Sequence, residues 1–173
     1  MARDFFMFQS LIGCRAGDLR KLTYDNIHEG VLTYIPHKTM GRQGNSVDVP
    51  LNSKAKEILA RNFSDGHLLF PHHAVTTNTA ALNKEIKRLF TICGITRMVT
   101  VRNPVTGADE QKPINEIASS HMARRTFIGN LYKKVKDPRL AASLSGHTDG
   151  SRAFARYREI DMEMKRELVE MID

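Results

Sequence analysis

The chain has 173 residues, 41% hydrophobic and 26% charged, a composition ordinary for one globular domain with a real core, and it shows no internal repeat, linker or low-complexity segment. Lys and Arg number 26 against 19 Asp and Glu, a net charge of +7 that favours an anionic partner, nucleic acid first, but leaves open a basic enzyme with a small anionic ligand. The two cysteines, Cys14 and Cys93, have no metal-ligand spacing and sit in apolar settings, which points to buried free thiols in a reducing cytoplasm and not to a disulfide or a metal centre.

The opening "MARDFFMFQSLIG" is apolar but too short to span a membrane, and it lacks a small-residue cleavage site. It reads as a core helix that begins abruptly, as in a domain cut from a longer chain. Phe5, Phe8, Leu11 and Ile12 form one apolar face, which Leu19 and Leu22 continue. The period then changes. Three short antiparallel strands are expected at about Tyr24 to Ile27, Val31 to Pro36 and Ser46 to Val49. "NSKAKEILARNF" is a helix capped at Asn52 or Ser53, and "TTNTAALNKEIKRLFTICGI" is another that ends at Gly94. "RMVTVRNPVTGADEQKPI" predicts a hairpin turning at Asn103 to Gly107. "SSHMARRTFIGNLYKK" predicts a helix capped by Ser119 or Ser120. "DPRLAASLSG" predicts one with Asp137 at the N-cap, Pro138 in the first turn and a stop at Gly146. In the last stretch, Ile160, Met164, Leu168 and Met171 recur on one helical face. The class is mainly α with a small antiparallel β-sheet.

Taken singly, the polar residues of interest have ordinary explanations. Arg15 has Asp18 three residues on, so a solvated cap or an ion pair accounts for it. Lys38 at a hairpin tip can serve solubility alone. His121 and Arg124, three apart, share a helix face, as a surface pair also would. His147 can be a residue beyond a helix cap, and Tyr157, set among Arg152, Arg156 and Arg158, can be a half-buried tyrosine on a surface helix.

Their order carries more. "IGCRAGDLRKLTYDNI" around Arg15, "IPHKT" around Lys38, "SSHMARRTF" around His121 and Arg124, "LSGH" around His147 and "FARYREI" around Tyr157 together resemble the catalytic domain of the tyrosine recombinases. These site-specific integrases and resolvases share chemistry with type IB topoisomerases. The pattern is most similar to integrases of conjugative transposons and related mobile elements, and it runs from the first helix to the last. The resemblance implies the DNA breaking-rejoining catalytic fold over residues 1–173, with the family's amino-terminal DNA-binding part absent.

It also implies roles. Tyr157 would be the nucleophile, with Arg15 and Arg124 as the guanidinium pair on the nonbridging phosphate oxygens. Lys38 would be the acid for the 5′ oxygen, His121 a general base or proton relay, and His147 a hydrogen-bond donor to phosphate. The expected activity is site-specific recombination or integration through a 3′-phosphotyrosyl intermediate, with no metal, ATP or cofactor. Double-stranded DNA is the expected partner, and Arg42, Arg97, Arg102, Arg125, Lys133 and Lys134 are candidates for phosphate contact, each equally explicable as a solvated surface charge. The face of Ile160, Met164, Leu168 and Met171 would either dock on a neighbouring protomer or pack on its own domain. A bacterial cytoplasmic, nucleoid-associated protein with no membrane segment is expected. Two other outputs stay open: a topoisomerase-like enzyme that nicks and reseals with the same residues, and a DNA-binding module that keeps the fold without catalysis.

Overall fold

Helix α1 (Ala2–Ile12) carries Phe5, Phe8 and Ile12 at spacings of three and four, which stacks them on one face, and all three are fully buried. Removing each such side chain from water is worth about 1.5–3 kcal/mol. Phe70 closes on this face, its ring centroid 5.4 Å from that of Phe5 and 5.4 Å from that of Phe8. Leu11 lies at the edge of the stripe and is only partly buried, while Leu19 and Leu22 continue the core as expected. The computed structural model describes residues 1–37, 46–63, 67–71, 78–135 and 137–146, with Arg166, Val169 and Glu170.

After α1 comes a one-turn helix, α2 (Ala16–Leu19), and then a three-stranded antiparallel sheet of β1 (Ile27–His28), β2 (Val31–Tyr34) and β3 (Val47–Pro50), in that spatial order. Leu32 pairs with Val49 and Tyr34 with Val47, and these four side chains form the buried face. On the other face Thr33 Oγ1 donates to Asp48 Oδ1 at 2.8 Å. The expected first strand is mostly a 3-10 turn. Thr23 donates through its backbone N–H (2.9 Å) and hydroxyl (3.2 Å) to Asn26 Oδ1, and this capping arrangement coils Tyr24–Asn26. The second strand ends at Tyr34 and not at Pro36; Tyr34 pairs with Val47, the first residue of β3. The third is shifted one residue along from the sequence-based boundary.

Helix α3 (Ser53–Asn62) starts where expected, with Asn52 Oδ1 accepting from Ala55 N at 2.9 Å, a cap worth about 1 kcal/mol. Helix α4 (Thr79–Ile92) buries Leu82 and Ile86. Cys93, expected to be buried, is exposed. By spacing it belongs to the Leu82–Ile86 face, but it falls beyond the covered part of the helix, where Ile92 is also exposed. Strands β4 (Met98–Arg102) and β5 (Asp109–Pro113) form the second hairpin. Asn103 Oδ1 accepts from Val105 N and Thr106 N to make its turn. Then follow α5 (Ile114–Ile117), the long α6 (Ser120–Val135) and α7 (Pro138–Ser145). Asp137 caps α7 at Arg139 N, and Gly146 ends it in the left-handed region. The architecture is mainly helical with small antiparallel sheets, as the sequence indicates.

Helix α6 packs along α1 and also meets α4 and α7, while α7 rests on β3. The last described turn therefore abuts the sheet: a Cβ on Gly146 would lie 3.0 Å from both Pro36 Cγ and Val47 Cγ2. The segments 38–45 and 147–165, which carry Lys38 and Arg42, and His147, Tyr157 and Ile160 with Met164, lie outside the described residues, as do Leu168 and Met171.

Candidate active site

The turn Gly13–Arg15 between α1 and α2 is held from three directions. Gly13 N donates to Gln9 O at 2.9 Å, which closes α1. Gln9, itself buried, donates through Nε2 to Cys14 O at 3.0 Å. Arg124, 1% exposed on α6, donates through Nη1 to Gly13 O at 2.6 Å, a short, charge-assisted bond. Glycine is required here. Its φ is +73°, and a Cβ would lie 2.1 Å from Phe127 Cδ1 on the helix that supplies Arg124.

Arg15 leaves this turn in extended conformation (φ −75°, ψ 149°) and becomes the N-cap residue of α2. Its carbonyl accepts from Asp18 N and Leu19 N. Its side chain is 30% exposed, and Nη1 stands 3.9 Å from Asp18 Oδ2, an ion pair too long for a hydrogen bond. The ordinary pairing with Asp18 is thus present, but it does not use the donors of Arg15. The other Asp18 oxygen, Oδ1, accepts from His37 N at 3.1 Å, which ties α2 to the chain just past β2. Arg15, partly exposed, thus departs from the turn that the guanidinium of the buried Arg124 holds.

The same region holds two neutral acids. Burial pushes the Cys14 thiol well above its usual value, and the Asp18 carboxylate adds to the rise while Arg124 opposes it. Burial likewise pushes up the Tyr34 phenol, with further upward pressure from Cys14 and Asp18 against Arg124 and Arg15. Neither group ionises near neutrality, so the arginines hold the positive charge of the turn.

His121 sits in the first turn of α6 and is exposed, while Arg124, one turn on, is buried beneath Gly13. The start of α6 is fixed by a residue that the local sequence does not announce: Asn83 on α4 accepts from Ser120 N at 2.9 Å. The candidate phosphate contacts are dispersed. Arg97 precedes β4 and Arg102 ends it, Arg125 is exposed beside the buried Arg124, and Lys133 and Lys134 occupy the last turn of α6, where cations also suit the helix dipole. Arg102 stands opposite Asp109 across the hairpin. Among the described residues no three His, Cys, Asp or Glu side chains group as metal ligands do, and no helix is long and apolar enough to cross a membrane. Gly13, Asp18 and Tyr34 are the contributors that residue types alone did not single out for function. The inward register of β2 was the signal for Tyr34, and the three-residue step from Arg15 was the signal for Asp18.

No curated protein matches the chain. Solved structures resemble it at low identity, which establishes the fold. The lambda integrase dimer bound to a COC′ core site has TM-score 0.66 and 18% identity, with 91% of this chain and 52% of that one covered. The XerH site-specific recombinase bound to palindromic difH has TM-score 0.65 and 20% identity over 97% of this chain and 44% of that one. The Tn1549 transposon integrase in complex with transposon right end DNA has TM-score 0.64 and 14% identity over 97% of this chain and 57% of that one. The chain thus spans about half the length of these solved chains. The phage integrase family matches residues 1–164, a span that holds the arginine-bearing turn, α6 and the segment with Tyr157. With this match and a fold shared with lambda integrase, XerH and Tn1549 integrase, the chain belongs to the phage integrase family, the tyrosine recombinases.

Proposed function

We propose that the chain is the catalytic domain of a site-specific recombinase that cuts and rejoins double-stranded DNA through a 3′-phosphotyrosyl intermediate, without metal or ATP. The observation that carries this reading is that two arginines meet at the single turn Gly13–Arg15: Arg15 belongs to its backbone, and the Arg124 guanidinium donates to Gly13 O. Guanidiniums stay charged at any working pH and present forked donors that match two nonbridging phosphate oxygens. Fixed in place, they act by positioning and by stabilising charge in the transition state.

The remaining roles follow the family pattern. The Tyr157 oxygen attacks phosphorus in line, and the P–O bond to the 5′ oxygen breaks. His121 takes up the phenolic proton, Lys38 gives one to the leaving 5′ oxygen, and His147 donates to a phosphate oxygen. A 5′ hydroxyl from another strand then attacks the phosphotyrosine and releases the tyrosine, so the phosphodiester energy is conserved. Exposed Arg97, Arg102, Arg125, Lys133 and Lys134, with Arg42, would supply backbone contacts that fix register without reading bases.

The lambda integrase and XerH structures hold DNA, and lambda integrase also forms a tetramer on a Holliday junction. By this likeness the chain would work as an assembly on DNA. Its terminal stripe of Ile160, Met164, Leu168 and Met171 would dock on a neighbouring protomer, amino-terminal domains outside this chain would complete the grip on DNA, and the site of action would be the bacterial nucleoid.

The test is strand cleavage in EDTA with no nucleotide, on nicked duplexes selected from a randomised pool by covalent capture. Protein-linked DNA with release of a 5′ hydroxyl is expected. Cleavage that needs a divalent metal, or that leaves no covalent product, rules the reading out.

A further inference from the structure

The alternation of β2 turns Tyr34 inward beside Leu32, and the residue is 5% exposed. Its hydroxyl is buried with no hydrogen-bond partner among the described residues. A phenylalanine would fill nearly the same space without this polar atom, and burying an unpaired hydroxyl works against stability. Two more buried atoms nearby share the condition: Arg15 Nη1 and Asp18 Oδ2, 3.9 Å apart. Tyr34 and Asp18 line one cavity of about 430 Å³, together with His37, whose N–H holds the other Asp18 oxygen. Tyr34 also senses the charges of Asp18, Arg15 and Arg124 electrostatically.

The chemistry of the three atoms is complementary. Arg15 Nη1 can only donate, Asp18 Oδ2 can only accept, and a phenol can donate. Arg15 is held near Asp18 by charge alone, and a phosphate that draws the guanidinium away leaves a buried carboxylate oxygen uncompensated. We infer that Tyr34 is a positioning residue for Arg15 acting through Asp18: its hydroxyl donates to Asp18 Oδ2 as Arg15 turns onto the phosphate, so that the guanidinium can leave the carboxylate. The inference rests on the proposed DNA-cleaving function and adds a residue to its machinery.

Tyr34→Phe tests it, because only the hydroxyl is lost. The variant should melt at the parent temperature or above it and bind the captured duplexes as the parent does. Single-turnover formation of the covalent product should slow by about ten- to a hundred-fold, the loss expected for one hydrogen bond to a charged group. In an Asp18→Asn background the same change should have little further effect, because the two residues act as a unit. Three results would overturn the inference while leaving the cleavage reading intact: a Tyr34→Phe rate equal to the parent's, a lowered melting temperature with rate and affinity falling together, or an undiminished Tyr34→Phe effect in the Asp18→Asn background. A parent protein that forms no covalent product removes the cleavage reading itself, and this inference with it.

Discussion

Arg124 Nη1 donates to Gly13 O at 2.6 Å, so the buried arginine of α6 holds the turn from which Arg15 departs. The two arginines should therefore respond differently to truncation. Arg124→Ala strands a carbonyl beneath α6 and should cost about 1–3 kcal/mol for that group alone, in addition to cleavage. Arg15→Ala removes no side-chain cap and only a 3.9 Å pair with the buried Asp18 oxygen, too long for a hydrogen bond, so it should cost less stability than Arg124→Ala. Cleavage by either variant should still fall about a hundred- to a thousand-fold, as when one transition-state donor is lost. Thermal melts beside single-turnover rates check the contrast.

Gly13→Ala should be destabilising even though alanine is small. The added Cβ meets the Phe127 ring, and alanine is strained at φ +73°. Overpacking of this kind costs about 1–3 kcal/mol, and here it also displaces the carbonyl that holds Arg124. Combining Gly13→Ala with Phe127→Leu should cost less than the sum of the single changes, since one clash is shared. Denaturant titrations of the single and double variants measure this.

The helices were largely legible because their apolar residues recur at three and four and several ends carry ordinary signals: Asn52 and Asp137 at caps, Gly146 at a stop. The Tyr24–Asn26 turn was not, because Asn26 redirects a segment that alternates like a strand. Cys93 has core-like spacing but extends past its helix's covered part, a fact of tertiary packing. Arg15 and Arg124 were legible as a pair only through family likeness. The bond that ties Arg124 to the turn of Arg15 runs to Gly13 O, 111 positions away, which no local pattern reveals. Asn83 holding the start of α6 is non-local in the same way.

The thiols offer a simple check on packing. Cys93 is exposed and should react promptly with a maleimide in the native protein, whereas Cys14 should react only on unfolding. Burial raises the Cys14 thiol above its ordinary value of 9.0, so above that pH the unfolded chain loses a proton that the folded chain keeps. The folded state then binds more protons, and stability should fall as pH rises past 9. The buried Tyr34 phenol acts in the same direction above its ordinary value of 10.0. Cys14→Ala should reduce the slope of stability against pH in this range, measured by denaturant midpoints; an unchanged slope argues against a thiol buried in neutral form.

If Lys38 protonates the leaving 5′ oxygen, a substrate with sulfur at that bridging position needs no acid, because a thiolate departs unaided. Lys38→Ala should cleave this DNA nearly as fast as the parent while failing on the normal phosphodiester. Equal impairment on both substrates would leave Lys38 as a contact residue only.

The central claim is tested most directly by digesting the covalent protein–DNA product with nuclease and protease and identifying the modified residue by mass spectrometry. The account predicts one nucleotide attached through its 3′ phosphate to Tyr157, and complete loss of the adduct in Tyr157→Phe with folding and DNA binding retained. An adduct on any other residue, or one that persists in Tyr157→Phe, would contradict it.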